Sequence, residues 1–221
     1  MPERQPSSNT DRDAPPLTVF GIDLRSGPRY PTGIATMDAE RRCRTIAIAR
    51  TDEAILDAIE ACAPRVIAID APLALPEGRD CVDQTCACAA AGIMRDVDRI
   101  AAREGYRPFP ALLPSMVQLT LRGIALRETL EGRGYEVIET YPGMTQDVLG
   151  IPRKGAGVDG LRRGLKRHGV LGIPRARRVS HDELDAVTCA LTAQLYLEGR
   201  TEVMGSGLPV PLVLPDRKAR W

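Results

Sequence analysis

Two rhythms of apolar and polar positions run through this chain, and the switches between them outline its elements. Residues 17–24 (LTVFGIDL) form a β-rich apolar run halted by Arg25, Ser26, Gly27 and Pro28, which predicts a strand. Runs at 33–37 and 44–49 predict two more, spaced closely enough for an antiparallel meander. At 51–60 the spacing becomes helical: Ile55, Leu56 and Ile59 share a face behind Thr51, a residue suited to cap a helix. Residues 65–70 (RVIAID) are almost uninterruptedly apolar, as a central strand buried on both faces should be.

An irregular, cysteine-bearing stretch follows from about 76 to 114. Residues 115–131 predict a helix with Met116, Leu119, Ile124 and Leu130 among its apolar positions; Gly134 ends it, and 135–140 reads as a further strand. Short helices are expected at 144–149 and 158–168, and a strong one from His181 to about Glu198. The order β-β-β-α-β-(insertion)-α-β-α predicts an α/β domain: a mixed five-stranded sheet flanked by helices, with the insertion after strand 4. The domain spans 17–210, between a polar, disordered tail at 1–16 and a C-terminal tail at 211–221.

Composition narrows the class. Hydrophobic residues make up 43% and charged residues 27%, an ordinary globular balance, while aromatics at 4% leave the core to Ala, Val, Ile and Leu. The net charge of +1 gives no global attraction to polyanions, so any nucleic-acid surface must be local. The N-terminal segment has no apolar signal-peptide core, and no run reaches the ~18 apolar residues needed to span a bilayer. A cytoplasmic protein without membrane contact is expected, its six cysteines being thiols or metal ligands.

Carboxylates stand where a sheet normally places apolar side chains or turns. Asp23 lies near the end of the first strand, Asp70 ends the most apolar strand, and Glu139 ends another. One strand-end Asp is usually a turn former, and Asp70, followed by Ala71 and Pro72, would pass for one alone. Several acids converging on one sheet end repel each other unless divalent cations neutralise them. Such oxygen ligands select Mg²⁺ or Mn²⁺, and two ions ~4 Å apart can activate water and stabilise the leaving oxygen of a phosphodiester.

A helix carboxylate can complete the set. Ser180 and Glu183 match a capping box, which makes Glu183 structural. Asp185 lies beyond the cap, and Thr188, Cys189 and Thr192 continue its side of the helix with small side chains that permit close approach to the sheet. Asp182, one turn earlier, is an outer candidate. The expected catalytic and metal-binding residues are therefore Asp23, Asp70, Glu139 and Asp185, with Asp182 as a further metal ligand.

The segments 21–24 (GIDL), 68–73 (AIDAPL), 137–143 (VIETYPG), 149–154 (LGIPRK) and 181–190 (HDELDAVTCA) together resemble an uncharacterised prokaryotic family. That family is described as predicted nucleases of ribonuclease-H fold, distantly related to RuvC-type Holliday junction resolvases. The resemblance spans roughly 17–210 and implies a ribonuclease-H-like sheet. By position it places the first-strand acid on Asp23, the fourth-strand acid on Asp70, the fifth-strand acid on Glu139, and a D-x-x-D helix pattern on Asp182 and Asp185. The implied activity is metal-dependent phosphodiester hydrolysis.

Nine basic residues fall between Arg153 and Arg178, against one acid, Asp159. Arg153, Lys154, Arg162, Arg163 and Lys166 are the candidate phosphate-binding residues, although a charged helix face explains 162–167 equally well. No interleaved aromatics offer a base-stacking platform. Cys81, Cys86 and Cys88 place three thiols within eight residues, which suits Zn²⁺ or an iron–sulfur cluster, with Asp83, Asp96 or Asp98 available as a fourth ligand; a reduced thiol cluster is the plainer alternative. The expected function is a two-metal nuclease. Hydrolysis of a nucleotide or other small phosphorylated compound, or a non-catalytic nucleic-acid or protein-binding module, are the competing readings.

Overall fold

The computed structural model describes residues 18–27, 29–153, 155, 157–176 and 178–221; the expected tail at 1–16, Lys154 and Arg177 lie outside them. In chain order the elements are β1 (Thr18–Asp23), β2 (Thr32–Asp38), β3 (Cys43–Ala49), α1 (Asp52–Cys62), β4 (Val66–Asp70), α2 (Asp96–Arg103), α3 (Val117–Gly132), β5 (Glu136–Glu139), α4 (Pro142–Val148), α5 (Val158–Arg167), α6 (His181–Leu197), β6 (Thr201–Met204) and β7 (Leu212–Pro215). The strands form one sheet in the order β3-β2-β1-β4-β5-β7-β6. β1, β2 and β3 are an antiparallel meander; β4 and β5 run parallel to β1, joined by helical crossovers.

Two local expectations are met atom by atom. The Thr51 hydroxyl accepts from the Ala54 N–H at the start of α1. The Ser180 hydroxyl accepts from the Glu183 N–H while the Glu183 carboxylate accepts from the Ser180 N–H, closing the capping box of α6.

Three expectations need correction. The sheet has seven strands rather than five. The segment 211–221, expected as a tail, carries β7, whose four residues are buried between β5 and β6. Prolines 209, 211 and 215 punctuate that segment and hide a strand too short to reveal itself by alternation. The stretch 76–114, expected as irregular, contains α2, which buries Val97, Asp98 and Ala101.

Side-chain parity divides the core. Val19, Val66 and Ala68 face α6 with Leu184, Val187 and Leu191, whereas Phe20, Ile22, Ile67 and Ile69 face the opposite side with Ile55, Ile59, Leu126 and Leu130 of α1 and α3. A third cluster joins Val97 and Ala101 of α2 to Met144, Met204 and Leu214. α6 lies between the sheet and the α4–α5 layer, touching β1, β2, β3, β4 and β7 on one side and both helices on the other. Two strand glycines allow that depth. A Cβ on Gly21 would sit 2.1 Å from the Ala186 carbonyl oxygen, and one on Gly33 would sit 2.1 Å from that of Asp182. Among the described residues, no helix is long and apolar enough to cross a membrane.

Candidate functional site

Register decides which acids meet. Asp23 and Asp70 are direct partners at the C-terminal ends of the parallel strands β1 and β4, and both follow the parity of the α6-facing side chains. The first turns of α6 lie on Gly33 and Gly21, which carries Asp182 and Asp185 to the same sheet end. Gln146 of α4 fixes Asp185: its Nε2 donates to the Asp185 Oδ1 at 2.7 Å. Asp182 faces Arg25 across 3.6 Å. Arg25 lies in the loop after β1, which Arg122 of α3 anchors by donating to the Arg25 carbonyl while pairing with Asp52 at 2.6 Å.

The charges feel one another. Asp23 is 6% exposed, and burial raises its pKa well above 3.8; Asp70, Asp185 and Asp182 add to the rise, and Arg25 opposes it. Cys189 lies fully buried beneath the acids and is held as a neutral thiol, by burial first and then by Asp70, Asp23 and Asp185. Among the described residues, Cys81, Cys86 and Cys88 are the only three candidate ligands whose atoms all lie within 4.8 Å of one another, so the acids share the cleft without three of them meeting that closely. The donor set is entirely hard oxygen, which suits Mg²⁺ or Mn²⁺.

Glu139 is placed differently. It is in register with Ile69 rather than Asp70, so its side chain leaves the opposite face of the sheet from Asp23 and Asp70. There Arg95 grips it with two bonds of 2.7 and 2.6 Å, and the Leu73 N–H donates to Oε2 at 2.9 Å. Arg95 also binds Asp98, and all three groups are buried. Burial pushes the Glu139 pKa up against the pull of Arg95; burial opposes the Arg95 charge, but Glu139 and Asp98 more than restore it. Arg95 caps α2 and Asp98 lies in its first turn; the acids Asp96 and Asp98 in that turn, with Val97 and Ala101 four apart on one face, were the available signal for that helix.

A cleft of about 540 Å³ opens over the acids. Asp23, Asp70 and Asp185 line it together with Glu139, Arg95 and Gln146. Tyr30 and Phe109, 52% and 65% exposed, stand on its walls with Tyr141, so the fold gathers aromatics that are scattered along the chain. Of the expected basic residues, Arg153 lines the cleft and pairs with Asp147 at 2.7 Å, while Lys154 lies outside the described residues. Arg162, Arg163 and Lys166 are on α5, whose Leu161 and Leu165 enter the core, and they are not among the cleft-lining residues. Arg25 and Arg95 are the cleft arginines not singled out from sequence.

The three cysteines sit apart from the acids, in the loop before α2. Cys88 Sγ is 3.2 Å from Cys86 Sγ and 3.6 Å from Cys81 Sγ. The Asp80 amide and the Cys86 thiol lower the Cys88 pKa to about 7.

An antiparallel three-stranded meander continued by parallel strands, with acids at the ends of its central pair, is a ribonuclease-H-like fold. The chain belongs to the family described as "Protein of unknown function (DUF429)", which matches residues 21–208. Comparison with curated proteins gives no match. Similar solved structures include Thermus thermophilus RuvC in complex with a Holliday junction substrate, at 16% identity over 83% of this chain and 96% of that one, with a TM-score of 0.48. Another structure of the same protein matches at 16% identity over 83% and 97% of the two chains, with a TM-score of 0.47.

Proposed function

We propose that this protein is a metal-dependent phosphodiesterase acting on nucleic acid, with Asp23, Asp70 and Asp185 as its metal-binding acids and Asp182 beside them. The observation that carries the proposal is the pairing of Asp23 with Asp70 in register, beneath a helix seated closely enough to add Asp185. No fold-stabilising role accounts for carboxylates placed together in a semi-buried cleft, since their mutual repulsion opposes folding. Divalent cations held there, two in our reading, supply charge neutralisation, a more acidic water and stabilisation of a leaving oxygen.

The chain's own contributions follow from the geometry. Gln146 holds Asp185 in one orientation through its amide N–H. Arg25 balances Asp182 and stands at the cleft wall, where its guanidinium can meet a phosphate. Tyr30 and Phe109 offer ring faces on which unpaired bases can stack. Glu139, gripped by Arg95, shapes the cleft wall and enters the ligand set only if that grip opens. A cleft of about 540 Å³ is also of small-molecule size, which supports a nucleotide-sized substrate as the second reading.

Purified protein should cleave at least one of junction, duplex, hybrid or single-stranded substrates with Mg²⁺ or Mn²⁺, and not in EDTA. Cleavage persisting unchanged in Asp70→Asn would sink the site. Release of product from nucleotides alone would select the second reading, and absence of metal binding would leave a binding module.

A further inference from the structure

We infer that Cys81, Cys86 and Cys88 form a mononuclear thiolate site for a soft divalent cation, Zn²⁺ in the first instance, separate from the acid cleft. Three observations converge on it. The first is the geometry of the sulfurs. Their separations include 3.2 and 3.6 Å, and all three lie within 4.8 Å of one another. A tetrahedral Zn²⁺ with Zn–S bonds of about 2.3 Å requires S···S edges of ~3.8 Å, inside that range. A four-iron cluster spreads its cysteines over different irons and needs wider separations, so a single ion fits better.

The second observation is the absence of a core under the loop. No residue from 80 to 92 is buried, and the 3-10 turn Ala87–Ala91 buries nothing. A segment that removes so little apolar surface from water has little to offset its ordering entropy, and a metal staple is the usual remedy. The loop is nevertheless shaped. Arg79 donates to the carbonyls of Cys81 and Asp83 at 3.0 Å each and reaches that of Gly92 at 3.5 Å. Asp83 Oδ1 accepts from the Thr85 N–H and hydroxyl, both at 2.8 Å.

The third observation is charge. Arg79 is 5% exposed, and its hydrogen bonds go to carbonyls rather than to a carboxylate. Three thiolates around a divalent cation carry one net negative charge, which would face that buried guanidinium. On binding, three S–H bonds are replaced by three S–metal bonds, and the protons leave to solvent. No carboxylate among the described residues joins the three sulfurs within 4.8 Å, and Asp83, Asp96 and Asp98 are held by Thr85, Arg99 and Arg95. The fourth position therefore falls to water or an exogenous ligand. The loop leads into α2, so an ion here would brace the element that carries Arg95 and Asp98 to the cleft.

The test is cobalt titration of the whole protein, reduced and handled anaerobically. One Co²⁺ per chain should bind with a thiolate-to-cobalt charge-transfer band and tetrahedral d–d absorption, both erased by Zn²⁺. Cys81→Ser and Cys88→Ser should lose the charge-transfer band, while Cys62→Ser and Asp70→Asn keep it; the last separates this site from the acid one. Should the serine variants fold poorly, Zn²⁺ must still protect the peptide bearing all three cysteines from alkylation in wild type, and a chelator must abolish the protection. A reduced wild type that shows neither band nor protection overturns the proposal, as does a band unchanged in Cys81→Ser or Cys88→Ser.

Discussion

Asp23 concentrates the conflict between folding and chemistry in one side chain. Its raised pKa means that the folded protein holds a proton there that the unfolded chain releases. Between the ordinary value of 3.8 and the raised folded value, that contribution to stability falls as pH rises. Asp23→Asn removes the titration. In EDTA its melting temperature should therefore gain on wild type as pH increases through this window, then level off; a difference independent of pH would contradict the assignment. At neutral pH, Mn²⁺ at about 100 times its Kd should raise the wild-type melting temperature by roughly 5–10 °C, and Asp70→Asn should blunt the response. The same substitution should cut any cleavage rate by about 10²-fold or more, the worth of several kcal/mol of charge stabilisation.

Arg95 makes the contrasting residue-scale prediction. Arg95→Ala strands Glu139 and Asp98 in the interior, and denaturant melts should show a loss of about 3–5 kcal/mol. An exposed arginine would cost almost nothing.

Among the elements, α6 sets the geometry of the site. Its carboxylates reach β1 and β4 because Gly21 and Gly33 present bare backbone to it. Gly21→Ala would press a methyl against the Ala186 carbonyl and the Ala190 N–H, so the helix must shift. A loss of about 1–3 kcal/mol in urea melts is expected, with loss of metal response although no acid is touched. The elements most readable from sequence were those with long periodic patterns or side-chain caps, such as α1 behind Thr51 and α6 behind Ser180. The acids at 23 and 70 were readable because Asp is out of place at the end of an apolar strand. Glu139 looked equivalent, yet its face depends on register with β4, and a one-residue offset between strands leaves no trace in either strand alone. Arg95 escaped notice for a related reason: its partner is 44 residues away.

At the level of the whole molecule, the sheet is completed by β7, which inserts between β5 and β6. Leu212, Val213 and Leu214 are buried there, and by side-chain burial alone they contribute ~4–9 kcal/mol, comparable with the net stability of many domains. Deleting 211–221 should therefore give aggregated or unfolded protein by circular dichroism, where loss of a true tail would change nothing. That strand could not be anticipated from four apolar residues among prolines, because its strand character comes from the neighbours it pairs with.

The depth of α6 also has a kinetic meaning. Asp23 and Asp185 are separated by roughly 160 residues of chain, and the helix between sheet and outer layer can dock only after both have begun to form. A contact of such long sequence separation is expected late in folding, so a form in which α6 has not docked should lack the acid site. If the acids hold cations as proposed, their affinity doubles as a gauge of the native fraction and should rise during refolding only as α6 docks.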